Sequence, residues 1–143
     1  MNRHDMMVDL EKLLRIVFRQ LRSEVGELFG RELTGNEFRI LAMLMEEGSM
    51  RATDVAKHLE VSASHVTALT DDLLSKGYIE RHKSEMDRRI VEIVVTKEGK
   101  EAFTQFEQQK SDYFRERFSH FTNEELLILN TLFRKMDKTS IDE

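Results

Sequence analysis

Cysteine, proline and tryptophan are all absent from this chain of 143 residues. Without cysteine the protein has no disulfide and no thiol that could act as a redox switch. Without proline, nothing interrupts long helices, and no proline-rich linker is visible. No apolar run is long enough to cross a membrane, and the first residues lack the pattern of a secretory signal. Length and composition therefore predict a single domain with a cytoplasmic location and no membrane contact.

The formal net charge is −5, which argues against a surface that binds nucleic acid by charge alone. The distribution of charge matters more than the total. Between residues 76 and 100 there are seven Lys and Arg against five Asp and Glu, whereas between residues 49 and 75 there are two against four. Positive charge is therefore concentrated in the later of these two segments.

The segment from Ala52 to Gly77 has the period of two short helices joined by a tight turn. Its apolar residues recur at intervals of three and four in both halves, namely Val55, Ala56 and Leu59, then Val66, Leu69, Leu73 and Leu74. Ser62 is a residue type that caps a helix, and Gly77 is a type that ends one. Glu60 stands in the turn, where a left-handed backbone would be modestly strained for any residue except glycine. The pattern predicts a helix-turn-helix.

After Gly77 the apolar period changes to the alternation that is typical of strands. Tyr78–Lys83 and the β-branched run Ile90–Val95 flank a polar tip, Ser84–Arg88. A hairpin that directly follows the second helix of a helix-turn-helix is a wing, and the two together indicate a protein that reads DNA. We also expect a short strand within Met50–Thr53 that pairs with the wing.

The wing carries a resemblance to a known family. The run Asp87-Arg88-Arg89, followed by Ile93, Val95 and Thr96, resembles the wing signature D-x-R-x-x-x-(V/L)-x-(L/V)-T of the multiple antibiotic resistance regulator (MarR) family. The segment 62–81 resembles the recognition helix and first wing strand of that family, and 96–99 resembles the T-x-x-G that opens its next helix. The sequence departs from the family at Ala68 and Asp72, where basic residues are common.

The resemblance covers the whole chain. It implies a mainly α (α+β) fold, in which a winged helix-turn-helix over residues 32–96 carries dimerisation helices over 1–31 and 97–143. The residues agree with this interpretation, since 5–29 read as one amphipathic helix with a wide leucine-rich stripe. Capping boxes at Thr34–Glu37 and Thr122–Glu125 begin two further helices. Such stripes fit a homodimer interface, and the alternative is that the terminal helices only cover their own core.

In a winged helix-turn-helix the first half of the second helix enters the major groove. That face consists of Ser62, Ser64, His65, Thr67 and Ala68. The hydroxyl groups can bond bases or phosphates, His65 can donate to a base acceptor, and Ala68 can pack on a thymine methyl group. For Ser62, helix capping alone is a sufficient explanation.

At the wing, an arginine can enter a narrow minor groove, where the potential is most negative. Arg88 and Arg89 are the candidates, and Asp87 would hold one of them in place by a charge-assisted hydrogen bond. In the alternative, Arg89 pairs with Asp87 and points away from DNA. Phosphate contacts are expected from three further basic residues, each of which could instead be a solvated surface residue: Arg51, Arg81 and Lys83.

No catalytic arrangement or phosphate-binding loop is visible, so we expect neither an enzyme nor a cofactor. The five histidines lack the spacing of a metal site, and none is predicted. The sequence predicts a dimeric regulator of transcription that binds double-stranded DNA at a palindromic operator. The resemblance implies a repressor that responds to a small-molecule effector. Two alternatives are a regulator without an effector and a winged helix used only for protein association.

Overall fold

The computed structural model describes residues 1–140, and in that range the backbone forms six α-helices and three strands. In chain order these are α1 (Arg3–Phe29), α2 (Gly35–Glu47), β1 (Ser49–Met50), α3 (Ala52–Leu59), α4 (Ala63–Ser75), β2 (Ile79–Lys83), β3 (Val91–Val95), α5 (Lys97–Arg117) and α6 (Asn123–Met136). Two compact units are present, Met1–Lys110 and a smaller one that begins at Ser111. The order of elements confirms the predicted winged helix-turn-helix, mainly helical with a small sheet.

The core of the larger unit lies where α2, α3 and α4 contact the sheet. Its most deeply buried apolar side chains come from all of these elements: Ile40, Leu41, Leu44, Val55, Val66, Leu73, Ile79 and Ile93. The ring of Phe29 stacks on Phe38 and meets the edge of Phe106, with ring centroids 5.1 Å apart in both pairs. These contacts hold the end of α1 and the middle of α5 against α2.

The sheet is antiparallel with the strand order β1-β3-β2, so the second wing strand is central. Met50 pairs with Ile93, and Ile79 pairs with Val95. The short strand expected at Met50–Thr53 exists, but it comprises Ser49–Met50, and the prediction of strand from Arg51 to Thr53 was wrong. Arg51 is still extended (φ −81°, ψ 151°), whereas Ala52 already belongs to α3. A helix start at Ala52 explains why the strand has only two residues.

The turn between α3 and α4 confirms both local features that were expected there. Glu60 is in the left-handed region (φ 56°, ψ 44°), and the next amide, that of Val61, donates to the carbonyl of Ala56. The Ser62 hydroxyl accepts a hydrogen bond from the His65 amide at 3.1 Å and so caps α4. The cap therefore fixes the point at which α4 begins.

The T-x-x-G segment joins the wing to α5 through backbone contacts. The hydroxyl of Thr96 donates to the carbonyl of Gly77 at 2.6 Å and accepts from the amide of Gly99 at 3.0 Å. A Cβ atom on Gly99 would overlap the carbonyl oxygen of Tyr78 and would lie 2.8 Å from a methyl carbon of Val95. Only glycine allows α5 to approach this closely, which is the physical reason for the motif.

The remaining helices begin at side-chain caps. α1 starts at Arg3, two residues before the expected start, because the side chain of Asn2 accepts from the amide of Asp5 at 2.8 Å. The predicted capping boxes are both present, at α2 and at α6. In the smaller unit, aromatic rings follow one another along the chain, with Phe118 between Phe114 and Phe121.

Candidate nucleic-acid interface

The first half of α4 presents one face to solvent and another to the core. Ser62, Ser64, His65, Thr67 and Ala68 are all exposed, as the helical period requires once Val66 and Leu73 are buried. All five candidates for base contacts therefore lie on one continuous surface. The larger part of this face is polar but uncharged, which suits hydrogen bonding to base edges.

Some of these polar groups already have intrahelical partners. The hydroxyl of Thr67 donates to the carbonyl of Ala63 at 3.0 Å, so toward DNA it is left as an acceptor. The hydroxyl oxygens of Ser62 and Ser64 lie 3.1 Å apart. Ser62 is occupied as the helix cap, so Ser64 and the exposed imidazole of His65 are the groups best placed to bond bases.

The wing tip is built around Asp87. The guanidinium of Arg89 donates to both oxygens of this carboxylate, at 3.1 Å from Nε and 3.0 Å from Nη2, and the amide of Arg89 adds a third bond of 3.1 Å. The side-chain bond, followed by the backbone bond and the nearby charge of Arg51, holds the pKa of Asp87 below its ordinary value. The same pairing raises the pKa of Arg89. Asp87 therefore fixes Arg89, although the Arg89 side chain remains 90% exposed.

Backbone hydrogen bonds close the rest of the tip. The amide of Ser84 donates to the carbonyl of Ile90 at 2.8 Å, and the amide of Ile90 donates to the carbonyl of Asp87 at 2.9 Å. Between them, the side chain of Met86 is 96% exposed. Met86 could not be predicted as a feature of the tip from the sequence, because one apolar residue in a polar loop forms no periodic pattern.

The basic candidates divide into two groups. Arg51, Lys83 and Arg88 are exposed on or beside the wing. Arg81 is different, because its Nη2 atom donates to the carboxylate of Asp71 at 2.8 Å and to the hydroxyl of Thr70 at 3.2 Å. The guanidinium of Arg81 is thus directed at α4.

Comparison with known proteins agrees with this geometry. The model of the MarR family matches residues 33–91. A Bacillus subtilis protein described as an HTH-type transcriptional regulator, YpoP, is 47% identical over 95% of this chain and 96% of its own length. The chain belongs to the MarR family. It is therefore a transcriptional regulator of the MarR type.

Solved structures show the same fold. A MarR family protein from Bacillus stearothermophilus superimposes with a TM-score of 0.82 at 23% identity, covering 95% of both chains. A mutant MarR from E. coli complexed with operator DNA gives a TM-score of 0.76 at 24% identity and covers 95% of this chain and 99% of that one. At these identities the likeness concerns the fold of a MarR-type regulator.

In this MarR-type regulator, an ionic network that the sequence did not reveal joins α2 to the C-terminal end of α4. Glu37, the acid of the α2 capping box, is only 1% exposed and accepts from Lys76 at 3.1 and 3.3 Å. Lys76 also pairs with Asp72 at 2.9 Å. Burial opposes the charge on Lys76, but bonds to Asp72 and Glu37 outweigh it and raise the pKa of Lys76. Hydrogen bonding to Glu37 and then to Lys76 lowers the pKa of Asp72.

This network gives Asp72 a structural role at a position where the family often has a basic residue. The acid lies in the last part of α4 and binds the lysine that caps that helix. Thirty-nine residues separate Glu37 from Lys76, so no local pattern pairs them. The only available signal is the capping-box glutamate, which indicates an acid at the start of α2.

The described part of the chain contains neither a cluster suited to a metal ion nor a helix suited to a membrane. Within residues 1–140, no group of three or more His, Cys, Asp or Glu side chains is arranged to hold a metal ion. Over the same residues, no helix is long and apolar enough to span a membrane.

Proposed function

We propose that this regulator binds a palindromic operator as a homodimer, in which each subunit places α4 in the major groove and its wing along the adjacent minor groove. The main support is the exposed polar face of α4 beside a wing whose tip is fixed by Asp87. Ser64, His65 and Thr67 would read base edges, and Ala68 would pack on a thymine methyl group. The helix cap at Ser62 brings the amides at the helix start close to a phosphate.

The exposed apolar residues of α1 support the dimer. Of its 27 residues only Phe29 is buried. Large apolar side chains remain exposed along most of the helix: Met6, Val8, Leu10, Leu13 and Val17. A helix of this length spans about 40 Å, which is long enough to supply much of the roughly 800 Å² per partner of a stable interface.

The exposed apolar surface of α6 independently supports the dimer. None of its 14 residues is buried within the chain. Its large exposed apolar residues are Leu127, Ile128, Leu132, Phe133 and Met136. An isolated helix of about this length is marginal in water, so a second copy of the chain would stabilise it by covering this stripe. Helices from both ends of the chain would then take part in dimerisation. We propose that the protein acts in the cytoplasm.

The wing would supply most of the charge that attracts DNA. Arg51, Lys83, Arg88 and Arg89 are exposed in each subunit. If all four contact phosphate or the minor groove, a dimer neutralises about eight phosphates, and log K should fall with log salt at a slope of about −7. Non-specific binding should be weak, because the chain as a whole carries a net charge of −5.

We further propose repression relieved by a small-molecule effector. A ligand that prefers a dimer with altered spacing between the two α4 helices would lower operator affinity. By linkage, operator DNA must then lower the affinity for that ligand by the same factor.

The test is selection of bound sequences from random duplex DNA, followed by footprinting and a salt series on the selected sequence. We expect an inverted repeat with half-site centres about 10 base pairs apart and one dimer per site by sedimentation. Arg88→Ala should weaken binding, and Arg39→Ala, an equal change of charge on the exposed side of α2, should not. Failure to enrich any sequence, with no salt-dependent binding, would favour a winged helix used for protein association.

A further inference from the structure

The side chain of Arg81 forms a polar link between the wing and the recognition helix, α4. Residues of β2 alternate between its two faces, so Arg81 shares a face with Ile79, which is buried against the core. From that face the guanidinium reaches α4, where Nη2 donates to Asp71 at 2.8 Å and to Thr70 at 3.2 Å. Lys83, two residues further along the same face, is exposed.

Thr70 makes the attachment rigid. Its side chain is 2% exposed, and its hydroxyl lies 2.9 Å from the carbonyl of Val66 and 3.1 Å from that of Thr67. The hydroxyl hydrogen is therefore used within the helix, and the oxygen is left as an acceptor whose position the helix determines. Arg81 is consequently bound to one charged group and one buried polar group of α4.

Asp71 lies on the stripe of α4 that carries the candidate base contacts, because residues four apart share a helix face and Thr67 precedes it by four. An uncompensated carboxylate there would repel phosphate. The pairing with Arg81 compensates that charge. If Arg81 turned to a phosphate instead, it would leave Asp71 unpaired beside the DNA.

The geometry points to Arg81 as a positioning residue, which sets the wing relative to the recognition helix through Asp71 and Thr70 and does not itself contact phosphate. This inference rests on the proposed DNA binding. The backbone between α4 and β2 turns at Gly77 (φ 77°), and apart from the Arg81 link the wing is held by this turn, by the sheet and by the non-directional apolar packing of Ile79 against the core. Base and minor-groove contacts must be made together, and a wing held at a fixed angle loses less conformational entropy on binding.

Replacement of Asp71 tests this inference, because the two possible roles of Arg81 predict changes of opposite sign in operator affinity. If Arg81 contacts phosphate, Asp71→Ala removes a repulsive charge and frees the arginine, so operator binding should tighten. If Arg81 is the positioning residue, Asp71→Ala should weaken operator binding by about 1.5- to 5-fold per half-site, the range for exposed ion pairs. The matched control is Glu85→Ala, which removes the same charge from the exposed wing tip and should tighten binding slightly.

Arg81→Ala completes the experiment on the full-length protein with the selected operator. A positioning role predicts an unchanged salt slope, a lower ratio of operator to random-duplex affinity, and a double variant, Arg81→Ala with Asp71→Ala, that is no weaker than Arg81→Ala alone. A phosphate contact predicts a slope shallower by about 2 for the dimer. The melting temperature of each variant is measured as well, so that unfolding can be excluded as the cause of weaker binding.

Each outcome is decisive. Tighter binding by Asp71→Ala, additive losses in the double variant, or a shallower slope for Arg81→Ala would overturn the positioning role while leaving the proposed function intact. If the unmodified protein selects no DNA sequence, the proposed function fails, and this inference fails with it.

Discussion

Loss of the lysine in the buried ionic network should destabilise the fold far more than loss of an ordinary surface lysine. In Lys76→Met, the carboxylate of Glu37 would stay 1% exposed but lose both of its bonds to the ammonium group, at 3.1 and 3.3 Å. An uncompensated charge in the interior is costly, because the group has given up its water without gaining a partner.

The distance between Glu37 and Lys76 and their exposure to solvent set the size of the expected loss of stability. Two unit charges about 3 Å apart attract by roughly 5 kcal/mol at an effective dielectric constant of about 20. Lys76 remains 22% exposed, so solvent screens part of this attraction. Glu37 also keeps its bond from the amide of Thr34. We therefore expect Lys76→Met to lower the free energy of unfolding by about 2–4 kcal/mol.

The assay is urea unfolding at one fixed protein concentration, because dimerisation would make apparent stability depend on concentration. Lys57→Met is the control, since Lys57 is exposed on α3 and its loss should change stability by about 0.5 kcal/mol or less. In the double variant Lys76→Met with Glu37→Gln, the neutral amide can still accept from Thr34, so most of the loss should be recovered.

The pH dependence has a defined sign. The pKa of Lys76 is raised above 10.5, so its contribution is complete below that value and is lost as pH rises through the folded-state pKa. The pKa of Asp72 is lowered below 3.8, so its contribution is complete above that value and is lost as pH falls through the folded-state pKa. The deficit of Lys76→Met should therefore be constant near neutral pH. A loss below about 0.5 kcal/mol, or equal losses in the single and double variants, would refute the reasoning.

Three further predictions concern the backbone and the wing. Gly99→Ala should cost about 2–3 kcal/mol in urea unfolding because its Cβ overlaps the carbonyl of Tyr78; Gly35→Ala, in open space, is the control, and equal effects would contradict the contact. Arg88→Ala should make the salt slope of operator binding shallower by about 1 per half-site, and an unchanged slope would remove Arg88 from the phosphate contacts. Glu60→Gly should raise the free energy of unfolding by about 0.5–1 kcal/mol, because glycine adopts the left-handed backbone without strain. A lower melting temperature in calorimetry would contradict this expectation.

Features that depend on a few neighbouring residues could be predicted from the sequence. The caps at Ser62, Thr34 and Thr122, the left-handed turn at Glu60 and the hairpin after Gly77 all form as expected. The caps and the turn involve hydrogen bonds or backbone preferences within about four residues, so the local sequence already contains both partners. The hairpin pairs residues 8 to 16 positions apart, but its strand alternation and polar tip are visible in one continuous segment. The family resemblance at the wing then fixed the overall arrangement of the elements.

The tertiary structure alone decided which charged groups meet. Asp87 could have held either wing arginine, and although Arg89 is only two residues away, the pair forms because the folded hairpin gives the tip its conformation. Arg81 reads as a surface cation in the sequence, yet the packing of β2 on α4 directs it to Asp71. Glu37 and its lysine partner are 39 residues apart. Periodicity determines which face of an element is buried, but partners across elements depend on distances and angles that only the packed core sets.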